Sequence, residues 1–151
     1  MEESERYLGG FYSPMQLGLA KLRWQRGGVG AGIYVTDKRL FIFREDMDIT
    51  FNKIVTGSGR KDFIPANLTL DQNQAIVREL SAQASNQLSF RREQISALEM
   101  KEPPGMFRTG YLNLLLTSGE TVKVTIGKKK EYDYILNLLK SFSPQCVKIQ
   151  E

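Results

Sequence analysis

Between Gly32 and Arg44 two apolar runs, Ile33-Tyr34-Val35 and Leu40-Phe41-Ile42-Phe43, flank the polar tetrapeptide Thr36-Asp37-Lys38-Arg39. β-Branched and aromatic residues dominate both runs, and the break is too short for a helix or a crossover. The pattern therefore predicts a β-hairpin with Asp37 supplying turn chemistry. Upstream, residues 15–26 read MQLGLAKLRWQR, with Met15, Leu17 and Leu19, then Leu22 and Trp24, apolar between polar or small neighbours. Period-two alternation predicts a strand, and the slip at Ala20-Lys21 predicts a bulge or bend. Residues 27–32, GGVGAG, predict a loop in which several residues take positive φ. Their spacing does not fit G-x-G-x-x-G and no Lys-Ser/Thr completes a phosphate-binding sequence. Residues 1–14 are polar and Gly-rich, anchored only by Tyr7, Leu8, Phe11 and Tyr12, and predict a flexible N-terminus.

After Arg44 the period changes. Residues 45–48 read as an acidic turn, 49–55 as a further strand and 56–61, TGSGRK, as a basic loop. Thr69 and Gln72 then form a capping box, and Ile76, Val77, Leu80 and Ala84 share one face, which predicts a helix over about 70–85. Strand character returns at 87–90 and at Ile95, Ala97, Leu98 and Met100. Residues 101–109, KEPPGMFRT, form a turn, and 110–116 and 121–126 are two strands around Ser118-Gly119. A closing helix carries Ile135, Leu138, Leu139 and Phe142 on its buried stripe, flanked by Tyr132 and Leu136, and stops at Pro144. In the last hairpin, Leu112, Leu114 and Leu116 share one face, as do Val122, Val124 and Ile126. A two-residue turn would set these stripes on opposite sides. An odd loop such as 118–120, with Gly119 or Glu120 left-handed, pairs Leu116 with Val122 and Leu114 with Val124 and keeps all six on one side.

Length and composition narrow the classes. A chain of 151 residues with 41% apolar and 25% charged residues is one soluble-type domain with enough core to fold without disulfides or metal. The net charge of +4 is spread along the chain, so it permits but does not demand an anionic partner. There is no histidine and only one cysteine, Cys146. Imidazole general bases, Ser-His and Cys-His pairs and the ordinary zinc sites are thereby removed, and no intramolecular disulfide can form. Cys146 lies beyond the helix stop with no His to activate it and reads as a tail thiol, neither nucleophile nor ligand. The acidic N-terminus has no apolar signal core and no apolar run reaches the ~20 residues of a membrane span, so the expected location is cytoplasmic, with at most visits to a membrane surface.

The words YVTDKRLFIF, the segment REQISALEM with its I-x-x-I flavour, and the final hairpin with its closing helix together resemble bacterial PH-like (pleckstrin-homology-like) and GRAM-type domains. The resemblance covers about residues 15–43 and 87–142. It implies an α+β, mainly β fold: a bent antiparallel barrel capped by a C-terminal amphipathic helix, with residues 46–86 as an insertion carrying the extra helix. The expected organisation is a flexible segment 1–14, one domain 15–143 and a tail 144–151. The resemblance implies recognition of anionic lipid or docking of peptides and proteins. Of the lipid motif in the eukaryotic relatives, Lys21 fills the first place, but the second strand, GIYVT, has no basic residue and breaks the remainder.

Two functions follow as expectations. The first is a non-catalytic, cofactor-free module that docks a protein partner or a second copy of itself; the helix is expected to pack on the domain through Ile76, Val77 and Leu80, and this face becomes the candidate partner surface if it is exposed instead. The alternative is a peripheral module that meets anionic lipid through Lys21, Arg23, Arg26, Arg60 and Lys61. No residue pair has the spacing of an acid–base or nucleophilic site, so an enzyme is not expected. The basic residues do not interleave with aromatics in a nucleic-acid-binding motif, so nucleic acid is not expected either.

Overall fold

The computed structural model describes residues 5–20, 28–58, 65–86, 88–105 and 108–150. They form an α+β, mainly β architecture of eight strands in one mixed sheet, with three helices. The strands are β1 (Tyr7–Ala20), β2 (Gly28–Thr36), β3 (Arg39–Phe43), β4 (Leu88–Arg91), β5 (Ile95–Lys101), β6 (Gly110–Leu116), β7 (Thr121–Ile126) and β8 (Val147–Gln150). The helices are α1 (Asp48–Thr56), α2 (Leu70–Gln83) and α3 (Lys129–Phe142). The sheet order is β4-β3-β2-β1-β7-β6-β5-β8, antiparallel except where β8 runs parallel to β5.

This sheet is open, with β4 and β8 at its edges, so a curled mixed sheet stands where a bent antiparallel barrel is expected. The curl follows from chain length. β4 and β5 lie far apart in the order yet are joined only by a 3₁₀ turn at Arg92–Gln94. Four residue steps from Arg91 to Ile95 reach at most about 14 Å, so the two ends of the sheet must approach each other.

The predicted hairpin is in place, with Val35 opposite Leu40 and Gly32 opposite Phe43. Its turn chemistry comes from Thr36, whose Oγ1 accepts the Lys38 and Arg39 amides at 3.1 and 2.9 Å. Asp37 instead turns outward to take the Arg6 amide at 3.0 Å. Both apolar runs are buried on both faces. Ile33, Val35, Leu40 and Ile42 join one core, with α3 over it, while Tyr34, Phe41 and Phe43 join a second core with Phe51 of α1 and Ile76 and Leu80 of α2.

Four further expectations are corrected. The N-terminal segment is strand from Tyr7, because the Tyr7 amide is held by Asn73 Oδ1 at 2.8 Å and the strand pairs along β2. The strand irregularities fall between Tyr7 and Gly9 and between Ser13 and Gly18; the expected slip at Ala20-Lys21 runs out of the described residues at Lys21. Gly28 to Gly32 are strand with no positive φ, and Gly30 passes so close to β1 that a Cβ would sit 2.5 Å from Pro14 Cα. Residues 49–55 are helix: Met47 and Phe51 are both buried one turn apart, and Gly57, at φ 74°, caps the end by donating to the Lys53 carbonyl. Within the tail 144–151, residues 147–150 form β8.

Other elements follow the pattern closely. α2 has the full Thr69/Gln72 capping box, and α3 buries Tyr132, Ile135, Leu138, Leu139 and Phe142. In the last hairpin the loop is odd, as expected, but it is 117–119. The Leu116 amide donates to the Glu120 carbonyl and the Gly119 amide to the Leu116 carbonyl, both at 2.9 Å, with Gly119 at φ 94°. Leu114 therefore faces Val122 and Leu112 faces Val124, two residues from the expected partners. The parity survives, so the apolar stripes still share the core side.

Candidate functional site

The inserted segment carries the polar groups that tie it to the sheet. Asn73 of α2 treats the start of the chain as a strand would: its Oδ1 accepts the Tyr7 amide and its Nδ2 donates to the Glu5 carbonyl at 2.8 Å. The Arg39 guanidinium grips Glu5 through two hydrogen bonds of 2.9 Å, donates to Ser81 Oγ on α2 at 2.7 Å and lies over the Phe41 ring. β1, β3 and α2 are thereby locked at one corner.

A few residues farther along β1, that strand, the start of α1 and the first turns of α3 frame a cleft of about 340 Å³ lined by Gly10, Phe11, Asp48, Pro65, Lys130, Glu131 and Tyr134. Asp48, at the start of α1, accepts the Tyr12 amide and the Tyr34 hydroxyl, each at 3.3 Å, while the Tyr34 oxygen takes the Met47 amide at 3.0 Å. Tyr134, on the first turns of α3, is 42% exposed and stands edge-on to Phe11 with centroids 5.3 Å apart. Its hydroxyl accepts the Gly10 amide at 3.2 Å and donates to the Gly10 carbonyl at 3.3 Å. This approach needs glycine beside it: Gly9 has φ 151°, and a Cβ there would meet the Tyr134 oxygen at 3.0 Å. Glu131 also lines the cleft, and its Oε2 is shielded from solvent without a hydrogen-bond partner.

The arrangement is an aromatic slot with two carboxylates and one exposed lysine at its rim. It suits an apolar side chain with a polar or cationic tip. Among the described residues no cluster of three or more acidic or cysteine side chains could hold a metal ion. No described helix is long and apolar enough to cross a membrane.

Burial, then the nearby Asp48 charge, raises the Tyr34 phenol far above its usual range; burial dominates for Tyr7 too, followed by the tyrosines and Asp48 around it. Such groups are neutral in the fold and ionise more readily once unfolded. Their contribution is thus complete below the unfolded phenol value of about 10 and is lost as pH rises beyond it. Tyr7 and Tyr34 should ionise only as the chain unfolds. In an alkaline titration, part of the phenolate absorbance is expected to rise in step with loss of near-ultraviolet circular dichroism; a smooth non-cooperative rise for every tyrosine would contradict their burial.

The five basic residues considered for lipid, Lys21, Arg23, Arg26, Arg60 and Lys61, all lie outside the described residues. The candidate partner face closes differently. Ile76 and Leu80 are 0% exposed and Val77 is partly buried, so this face packs on the domain and is not an open surface. The cleft residues Phe11, Asp48, Glu131 and Tyr134 had no distinguishing signal in the sequence, because they come together only when α1 is a helix and β1 begins at Tyr7. No family model matches the chain, and no curated protein matches it.

Proposed function

We propose that the chain is a non-catalytic interaction module of the PH-like kind that docks a protein partner through the cleft between β1, α1 and α3. The curled sheet with an amphipathic helix over one apolar face supports the PH-like assignment; the second core under α1 and α2 and the added strand β8 are its departures. The observation that carries the docking reading is the cleft itself: two aromatic rings and two carboxylates around about 340 Å³. A side chain with an apolar stem and a cationic end would bury its stem on Phe11 and Tyr134 and set its charge against the Asp48 and Glu131 carboxylates.

The test is a binding screen on immobilised protein with arginine- and lysine-bearing peptides, wild type against Glu131→Lys. Saturable binding by wild type that falls by about tenfold or more in the variant supports the cleft. Liposome co-sedimentation runs in parallel. Binding that grows with the anionic lipid fraction and collapses with salt, unchanged by Glu131→Lys, would transfer the function to the membrane surface.

A further inference from the structure

The chain ends by pairing with its own sheet. β8 lies along the outer edge of β5, with Leu98 opposite Val147 and Met100 opposite Ile149, and the Leu98 amide donates to the Cys146 carbonyl at 2.8 Å. The side chains do little to hold it. None of the four β8 residues is buried, Ile149 is 54% exposed, and only Val147, with Cys146 before it, packs partly on the first core. Parallel pairing is also the slightly weaker kind. Beneath β8 the contrast is sharp, since Leu98 and Met100 are 0% exposed.

We propose that β8 is a displaceable strand and that the β5 edge is a docking site for an extended segment of a partner protein, occupied in cis by the chain's own C-terminal strand. The seated segment defines the ligand: about four residues running parallel to β5, with a small β-branched residue at the Val147 position and polar residues at alternate places. The connection from Phe142 is short, so the tether gives β8 an effective concentration in the millimolar range. A partner must therefore place more apolar surface than β8 does, and the exposed Ile149 shows where it can. A bare β5 edge would present unpaired amides and carbonyls, which explains why the free chain keeps it covered. This site is separate from the cleft and stands whether or not the cleft binds.

The experiment uses the 151-residue chain and a fluorescent peptide with the sequence of residues 143–151, Cys146 replaced by Ser. Lys148→Pro/Gln150→Pro removes two main-chain donors from β8 while leaving Val147 in place. Peptide binding, read by fluorescence polarisation, is expected to be at least about tenfold tighter for this variant than for wild type, with a scrambled peptide unaffected. The variant should keep a cooperative thermal transition. If it stays folded and binds no better than wild type, the edge is not a docking site. If it fails to fold, β8 is an integral strand and the proposal is equally overturned.

Discussion

Phe51→Ala should cost about 3–5 kcal/mol, a large share of the ~5–15 kcal/mol that holds a domain of this kind together. Phe51 is fully buried and stands edge-on to both Tyr7 and Tyr34, with centroids 5.5 Å away in each case. Removing the ring takes away the contact by which α1 locks β1 to β2, and with it the placement of Asp48. Ile49→Ala, two residues earlier on an exposed side chain, should stay within about 0.5 kcal/mol. The contrast also tests the local structure, since a strand would put Ile49 and Phe51 on one face. Denaturant unfolding with equal m-values measures both. Similar losses for the two would contradict a helix at Asp48–Thr56.

The second large effect lies in the last hairpin. Leu114→Ala should cost about 2–5 kcal/mol and Val124→Ala about 1–3, since both are fully buried under α3. Thr121→Ala, on an exposed residue, should cost about 0.5 or less. Lys123→Ala should lose up to about 1 kcal/mol, because its ammonium lies 5.1 Å from the Tyr111 ring centroid. Double-mutant cycles then read the register. Leu112 and Val124 are directly opposite and should couple more strongly than Leu114 and Val124, which are diagonal. Stronger coupling of the diagonal pair would restore the register in which the loop is 118–120.

Where one period ran long enough, the elements were legible in the sequence. The hairpin at Gly32–Arg44, α2 with its capping box, the 110–116 and 121–126 strands and the α3 stripe all stand where periodicity put them. Three failures have physical causes. Ile, Thr, Phe and Val gave residues 49–55 a strand composition, but burial of Met47 and Phe51 one turn apart and the glycine cap overrode it. The first half of β1, from Tyr7, and β8 are strands by virtue of partners remote in the chain, Asn73 and β5, which no local pattern reveals. The loop between β6 and β7 took the odd parity that hydrophobic burial demanded, while turn preference chose the glycine position and so the offset.

One signal was present and unused. Ile33-Tyr34-Val35 and Leu40-Phe41-Ile42-Phe43 do not alternate, and unbroken apolar strands mark a sheet covered on both faces. α3 can cover only one. Something had to cover Tyr34, Phe41 and Phe43, and the only helical pattern left was the insertion, which is where α1 and α2 lie. The same logic agrees with the expected packing of Ile76 and Leu80 on the domain, where both are fully buried. The cleft residues carry no comparable signature, because a slot of two rings and two carboxylates depends on three elements meeting.

That α1 and α2 form a wall of the domain, and not an appendage, is the claim on which the cleft depends. Native-state hydrogen exchange tests it most directly. The amides of Ile76, Val77 and Leu80 in α2 should exchange only through global unfolding, with the same free energy and denaturant dependence as those of Ile135 and Leu139 in α3. Exchange of the α2 amides several kcal/mol more easily, through local opening insensitive to denaturant, would show that α1 and α2 detach while the sheet stays folded, and would contradict the two-core architecture and the cleft it builds.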